Sequence, residues 1–314
     1  MTGLSAFLVT GGAGFIGSHL VDALLSQGHR VRVLDDLSTG KHENLADGAE
    51  LVLGDVGDAG TVRTAMRGMD GCFHLAAIAS VARCNEDWLG THRVNLGGTI
   101  AVLDAAREVG GVPVVYASSA AVYGALDGVA SETSPTVPLS AYGADKLGSE
   151  QHARAGFRVH GVPSVGLRFF NVYGPRQDPR SPYTGVISLF AGALVAGRGL
   201  TLHGDGMQTR DFIYVGDIVA FLLSAMRVAA RRDAALVLNA CTGRQISVLA
   251  LADTLAGLLQ TKPALTHRPV RPGDVRHSQG DPAMAAAVLG LQSRTTLAEG
   301  LEATLNQVAA LERV

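Results

Sequence analysis

The chain has 314 residues, 47% of them hydrophobic and 17% charged, with a formal net charge of −2. That composition supports a large buried core and excludes an intrinsically disordered chain, and without a basic block it offers no electrostatic footprint for nucleic acid or an anionic membrane. Cys72, Cys84 and Cys241 lie far apart with no C-x-x-C pair, and the ten histidines show no H-x-x-x-H spacing, so neither a disulfide framework nor a metal site is expected. No apolar run approaches the ~18 residues needed to span a bilayer. The first structured motif begins so early that no signal peptide is expected, which points to the cytoplasm.

In chain order, residues 6–9 (A-F-L-V) read as a strand and run directly into T-G-G-A-G-F-I-G-S, residues 10–18. Gly11, Gly14 and Gly17 have the spacing of a tight strand-to-helix turn whose backbone lies open to a ligand, with helix amides aimed at an anion. Alone, such glycines are compatible with a purely structural turn. The next strand, residues 30–35, ends in Asp35 and Asp36, about 20 residues beyond the glycines, where a dinucleotide fold places the acid that binds the adenosine ribose. A carboxylate there repels a ribose phosphate, so the pair reads as an NAD site rather than an NADP site.

Strand-like runs continue at residues 50–53, 72–75, 112–117 and 164–169, with helical patterns at 16–27, 91–108 and 142–160. Strand and helix in alternation predict an α/β fold, a Rossmann-type doubly wound parallel sheet with ligands beyond the carboxyl ends of its strands. From Asn171 the texture changes to a proline- and glycine-rich loop; a further strand at 211–215 and a helix from about Asp217 follow. The expected organisation is a nucleotide domain over residues 1–170, with a return of about 211–240, interleaved with a smaller mixed α/β substrate lobe over 171–314. Trp88 is expected as a packing anchor and Arg231 and Arg232 as a charged helix end.

Tyr142 and Lys146, in Y-G-A-D-K, stand one helical turn apart, so phenol and ammonium emerge on one face. A neighbouring ammonium favours the phenolate, which would bring a base toward working pH. Upstream, V-V-Y-A-S-S places Ser118 and Ser119 at the ligand end of a strand. Ser119, Tyr142 and Lys146, with the glycine turn, make a Ser-Tyr-Lys site for hydride transfer to or from a nicotinamide.

These motifs, together with H-L-A-A, V-N-L-G-G-T, S-S-A-A-V-Y-G, R-F-F-N-V-Y-G-P-R-Q-D-P, R-D-F-I-Y-V and R-P-G-D, resemble the extended short-chain dehydrogenase/reductase family, and within it the UDP-sugar 4-epimerases, over essentially the whole chain. The resemblance implies NAD contacts at Gly11, Gly14, Phe15, Ile16, Gly17, Asp35, Asp36, Asp55, Val56, Leu75, Ala76, Ala77, Asn95, Lys146 and Phe169. It implies a UDP-sugar held by Ser119, Tyr142, Asn171, Val186, Thr201, His203, Arg210, Arg271, Asp274 and Ser278. Relatives that dehydrate or decarboxylate carry acids after the catalytic serine; Ala120 and Ala121 stand there instead, which disfavours dehydration. Ser278, at a position facing the carbon 2 substituent, leaves room for an acetamido group, so UDP-N-acetylglucosamine and UDP-N-acetylgalactosamine are the expected pair, with UDP-glucose and UDP-galactose as further substrates. UDP-glucuronate 4-epimerisation and a non-catalytic NAD-sensing protein are the alternatives. Ala79 replaces a lysine that many relatives place near the pyrophosphate. The resemblance also implies a homodimer through the helices at 91–108 and 142–160, on which Val102, Leu103, Leu147 and Phe157 are apolar.

Overall fold

The computed structural model describes residues 4–180, 184–270 and 275–311. Strand β1 (Ala6–Thr10) turns into helix α1 (Phe15–Ser26), followed by β2 (Arg30–Asp35), β3 (Ala49–Leu53), α2 (Ala59–Met66), β4 (Gly71–His74), α3 (Val81–Glu86), α4 (Trp88–His92), α5 (Gly98–Glu108), β5 (Val114–Ser119), α6 (Ala141–His160) and β6 (Ser164–Phe169). The second half holds β7 (Asn171–Tyr173), α7 (Val186–Val195), β8 (Leu200–His203), β9 (Thr209–Tyr214), α8 (Val215–Ala229), β10 (Ala235–Ala240), β11 (Gln245–Ser247), α9 (Val248–Leu258), β12 (Leu265–Arg268), α10 (Ala283–Leu289) and α11 (Leu297–Leu311). Seven strands pair in the order β10-β6-β5-β4-β1-β2-β3. Every pairing in this sheet is parallel.

Both faces of such a sheet are covered, and its inner strands β1, β4 and β6 are correspondingly buried along their length. Phe7 and Val9 of β1 face the α1 and α8 side with Leu20, Leu24, Ile218 and Leu222. Ala6 and Leu8 face α2 and α5 with Val62, Met66, Val102 and Leu103. Val102 and Leu103, expected at the dimer-forming helices, are therefore core residues of this subunit; Leu147 and Phe157 are only half-buried. A separate core of Ile187, Phe190, Leu202, Leu251, Leu255 and Leu305 underlies the small sheets β11-β9-β7 and β12-β8.

Two local features depart from the expectation. The helix expected over 91–108 is interrupted by a π-helical turn at Arg93–Gly97, where Gly98 N–H reaches back to the Arg93 carbonyl. Gly98 sits so close to Val56 that a Cβ would stand 2.9 Å from its Cγ1, and the extra residue in the turn redirects the following helix into that contact. Trp88 is 70% exposed at the start of α4 and is not a packing anchor, because its helix is only about one turn long and leaves its first residue to solvent. Arg232, in turn, is more than a charged helix end: its Nη2 donates to the carbonyls of Gly110 (2.6 Å) and Gly111 (2.5 Å).

Candidate active site

The chain leaves β1 in one direction along the sheet to β2 and β3, then returns to the other side of β1 for β4, so a crevice opens between the β1 and β4 ends. A cavity of about 690 Å³ occupies it. Its floor is the glycine turn. Gly11 has φ +70°, and a Cβ there would stand 2.7 Å from Ala76 N on the neighbouring strand end, so only hydrogen fits. Helix α1 has no side-chain cap and no acid in its first turn, leaving its leading amides for an anionic ligand. Asp35 closes the far end: its Oδ2 accepts from Ala13 N (2.9 Å) and its Oδ1 from Leu37 N (2.9 Å). Burial raises its carboxyl above the usual range while those two amides pull it back. Each oxygen keeps a second lone pair for a ribose hydroxyl.

The positions expected around NAD all line this cavity except Asn95. Asn95 is fully buried in the π-helical turn; its Oδ1 accepts from Ile78 N (2.8 Å) and its Nδ2 donates to Ile78 O (3.3 Å). It acts on the cavity wall from behind, because the π-turn points it inward and presents Arg93 and Val94 to the cavity instead. Arg93 grips Asp55 Oδ2 at 2.5 Å, while Asp55 Oδ1 accepts from Gly57 N (2.7 Å). Arg93, Arg83, Ser38, Thr39 and Gln177 line the cavity and were not singled out from the sequence. Ser38 follows the Asp36 carboxylate that binds it (Oγ, 2.7 Å), a local turn legible in D-D-L-S; Arg93 gave no signal, since its direction depends on the π-turn.

At the inner end, Ser119, Tyr142 and Lys146 come together, as do Asn171 and Phe169. Ser119 ends β5, and Tyr142 and Lys146 open α6, whose start is fixed by Ser140 Oγ accepting from Gly143 N (3.1 Å). Lys146 is 3% exposed, donates from Nζ to Ala117 O (2.8 Å) and lies 5.7 Å from the centre of the Tyr142 ring. Burial pushes Lys146 down to about 8. It pushes the Tyr142 phenol up to about 12, against the pull of a hydrogen bond from Ser119. The expectation that the ammonium alone brings the phenolate to working pH is thus corrected: Nζ lies over the ring face with its bond committed to Ala117, and dehydration of the phenol outweighs it. Behind the pair, His74 bridges Thr10 Oγ1 (2.8 Å) and Thr99 Oγ1 (3.1 Å), and burial drives it down to about 3.

Ser119 and Tyr142 also face a second cavity of about 320 Å³, walled by Ala120, Ala121, Gly124, Phe170, Arg210 and Ser278 among others. Ser278 N donates to Thr209 O (3.1 Å) and Gln279 O accepts from Ala130 N (2.8 Å), which stitches this wall to β9 and to the loop after β5. Arg210 Nη1 donates to Thr209 O (2.8 Å). Among the described residues, the lining of this cavity carries no carboxylate. Val186, Thr201 and His203 do not reach either lining: Val186 starts α7 beside Gly185, which does, and Thr201 and His203 lie on β8, paired with β12. Arg271 and Asp274 lie outside the described residues. Asn85 and His277 join the wall without having been anticipated; neither belongs to a sequence pattern that would mark it.

The chain shares 39% identity over 306 residues with a UDP-glucose 4-epimerase of Mycolicibacterium smegmatis, covering 95% of this chain and 96% of that one. The fold matches the crystal structure of the Thermotoga maritima UDP-glucose 4-epimerase with UDP-glucose at a TM-score of 0.93 and 34% identity, covering 98% and 99% of the two chains. It matches a Methanobrevibacter ruminantium UDP-N-acetylglucosamine 4-epimerase in complex with UDP-N-acetylmuramic acid equally well, with a TM-score of 0.93, 31% identity and 99% of each chain covered. Residues 7–241 match the family model described as the NAD dependent epimerase/dehydratase family. The glycine floor, the acid at the end of β2 and the Ser-Tyr-Lys cluster thus stand on the scaffold of the NAD dependent epimerase/dehydratase family, and the chain is an NAD-dependent enzyme belonging to it.

Proposed function

We propose that the protein interconverts UDP-hexoses at carbon 4, with UDP-N-acetylglucosamine and UDP-N-acetylgalactosamine as its preferred pair and UDP-glucose and UDP-galactose as further substrates. The observation that carries the choice of reaction is the composition of the second cavity. Expelling a hydroxyl from the sugar needs an acid beside it, and Ala120 and Ala121 stand next to Ser119 in a lining without a described carboxylate. Oxidation and reduction at one carbon need only the groups that Ser119 and Tyr142 present. Relatives bearing decarboxylase names keep other chemistries open to this scaffold, so the argument rests on the site and not on the fold.

NAD, held by the glycine floor and Asp35, would supply the acceptor and donor of hydride for carbon 4, and a positive nicotinamide would favour the Tyr142 phenolate. Tyr142 removes the 4-hydroxyl proton and gives it back. Ser119, which lines both cavities beside Tyr142, steadies both the phenolate and the sugar oxygen. Lys146 holds positive charge at the ring face. Asn171 and Arg210, at the mouth of the second cavity, hold the nucleotide end of the substrate, and Arg271 would join them; a planar guanidinium grips phosphate oxygens in a fork. This anchoring lets the keto-sugar turn without escaping, a use of binding energy remote from the reacting carbon.

Support for an acetamido group comes from the small side chains of Ala121 and Ser278 on one wall. Ser278→Tyr should lower kcat/KM for the acetylated sugars at least tenfold while sparing UDP-glucose; equal losses for both would remove Ser278 from the choice of sugar. For the reaction itself, a substrate deuterated at carbon 4 should give an epimer that retains the label, whereas wash-out of deuterium or loss of water would assign a different chemistry. A homodimer is part of the same proposal, supported by the half-buried Leu147 and Phe157 on α6, and a monomeric mass in light scattering would refute it.

A further inference from the structure

Two charged residues stand next to each other on α6, both almost wholly buried: Asp145 is 4% exposed and Lys146 3%. Lys146 turns to the cavity, while Asp145 turns away toward α4. There its Oδ1 meets Nδ1 of His92 at 2.7 Å, and its Oδ2 is buried without a hydrogen-bond partner among the described residues. A carboxylate left half-satisfied in a dry interior is costly, and a purely structural contact between α4 and α6 would be served by a neutral amide. The sequence Y-G-A-D-K singles out this acid only by its place before the lysine.

We propose that Asp145, held by His92, is a positioning residue of the reaction: a fixed buried counter-charge that keeps Lys146 an ammonium through the working pH range. The proposal rests on the reading of Tyr142 and Lys146 as the reacting pair. Lys146 has a single hydrogen-bond acceptor among the described residues, the neutral Ala117 carbonyl, which does little to retain a proton in a dehydrated site. Among the described residues, the other ionisable groups named around it are neutral or paired. On α6, Tyr142 is held as the phenol by burial, and Glu150, two turns on, is locked to Arg168 at 2.7 Å. From α3, the buried Cys84 thiol is pushed up by burial and remains neutral. From β4, His74 is held neutral. From the π-helical turn, Arg93 is paired with Asp55. Asp145 is a nearby carboxylate not neutralised by a guanidinium, and it opposes most strongly, ahead of Cys84, the fall that burial imposes on Lys146. His92, with its side chain 48% exposed, ties that charge to the surface of α4.

Lys146 can be watched directly, because Lys41 and Lys262 are the only other lysines. The protein labelled with 13C at the lysine ε-carbons, saturated with NAD, would be titrated by NMR. Asp145→Asn should move the Lys146 midpoint about one pH unit lower. Asp145→Glu should bring it back toward the wild type. His92→Arg, at a half-exposed position, should lower the midpoint in the same direction by neutralising Asp145 with a fixed charge. The alkaline limb of kcat/KM on a UDP-hexose should move down with the midpoint. Unmoved midpoints in Asp145→Asn and His92→Arg, with or without a loss of rate, would overturn the proposal and leave Asp145 a structural contact. Absence of turnover on every UDP-hexose would count against the reaction proposed above, and the lysine titration would still decide the role of Asp145.

Discussion

Tyr142 and Lys146 show how burial sets the working state of a pair of side chains that spacing alone only brings together. The phenol is pushed up to about 12 and the ammonium down to about 8, so dehydration works against both charged forms, and for Lys146 the buried charge of Asp145 opposes it. Tyr142→Phe should therefore reduce turnover by at least ~10²-fold while leaving NAD bound, since it removes the proton acceptor without touching the glycine floor; an active variant would take Tyr142 out of the chemistry. His74 makes a separate prediction on stability. Its folded pKa of about 3 lies below the ordinary histidine value of about 6.5, so between these values the unfolded chain binds the proton that the folded chain refuses. Stability should fall as pH drops from about 6.5 toward 3, and His74→Gln should flatten that fall; equal slopes in urea unfolding across this range for both proteins would acquit His74. At this scale the sequence made the cluster of Ser119, Tyr142 and Lys146 and the glycines legible. The state of the trio was not legible, because ionisation depends on dehydration that no spacing reports.

Elements were legible in proportion to their periodicity. All six strands of the first half lie within a few residues of the hydrophobic runs that announce them, since strands buried on both faces are nearly continuous apolar segments. The π-helical turn at Arg93–Gly97 was not legible: it preserves the helical look of the pattern while redirecting Asn95 inward and Arg93 outward. Also hidden was the polar tie that fixes α6 to the sheet. Arg168 on β6 forks onto Glu150 on α6 at 2.8 and 2.7 Å, Ser118 at the end of β5 donates to the same carboxylate at 2.5 Å, and Tyr123 accepts from Arg168 at 2.9 Å. Nothing in R-F-F-N or in the α6 sequence marks these residues as partners. Removing one member leaves an uncompensated buried charge, so Arg168→Met should cost about 3–5 kcal/mol in urea unfolding. A loss below ~1 kcal/mol would mean that the pair is not what holds α6 against β5 and β6.

For the molecule as a whole, topology places the site. Parallel strands direct the ends of β1, β2, β4, β5 and β6 to one edge, and the reversal of strand order at β1 opens the crevice proposed to receive the cofactor. The second core beneath β7, β9 and β11 brings Arg210 and Ser278 over the other side of Tyr142. The choice of dinucleotide also belongs to this scale, because Asp35 reports to the cavity through the turn that Ala13 and Leu37 complete. Asp35→Ala should narrow the preference for NAD over NADP at least tenfold in equilibrium binding, and an unchanged ratio would show that another part of the cavity sets it. The fold class could be read from alternation alone. The substrate wall could not, since it is assembled from segments more than 150 residues apart, as Ala120 and Ser278 are.

The most direct test of the account is to incubate the purified protein with UDP-N-acetylglucosamine, and in parallel with UDP-glucose and UDP-glucuronate, without added reductant, following the carbon 4 protons by NMR. The account predicts conversion of the acetylated sugar to its galacto epimer, with slower conversion of UDP-glucose. Turnover of UDP-glucuronate alone would contradict the reading of the sugar pocket, and no conversion of any of the three by NAD-loaded protein would contradict 4-epimerisation itself.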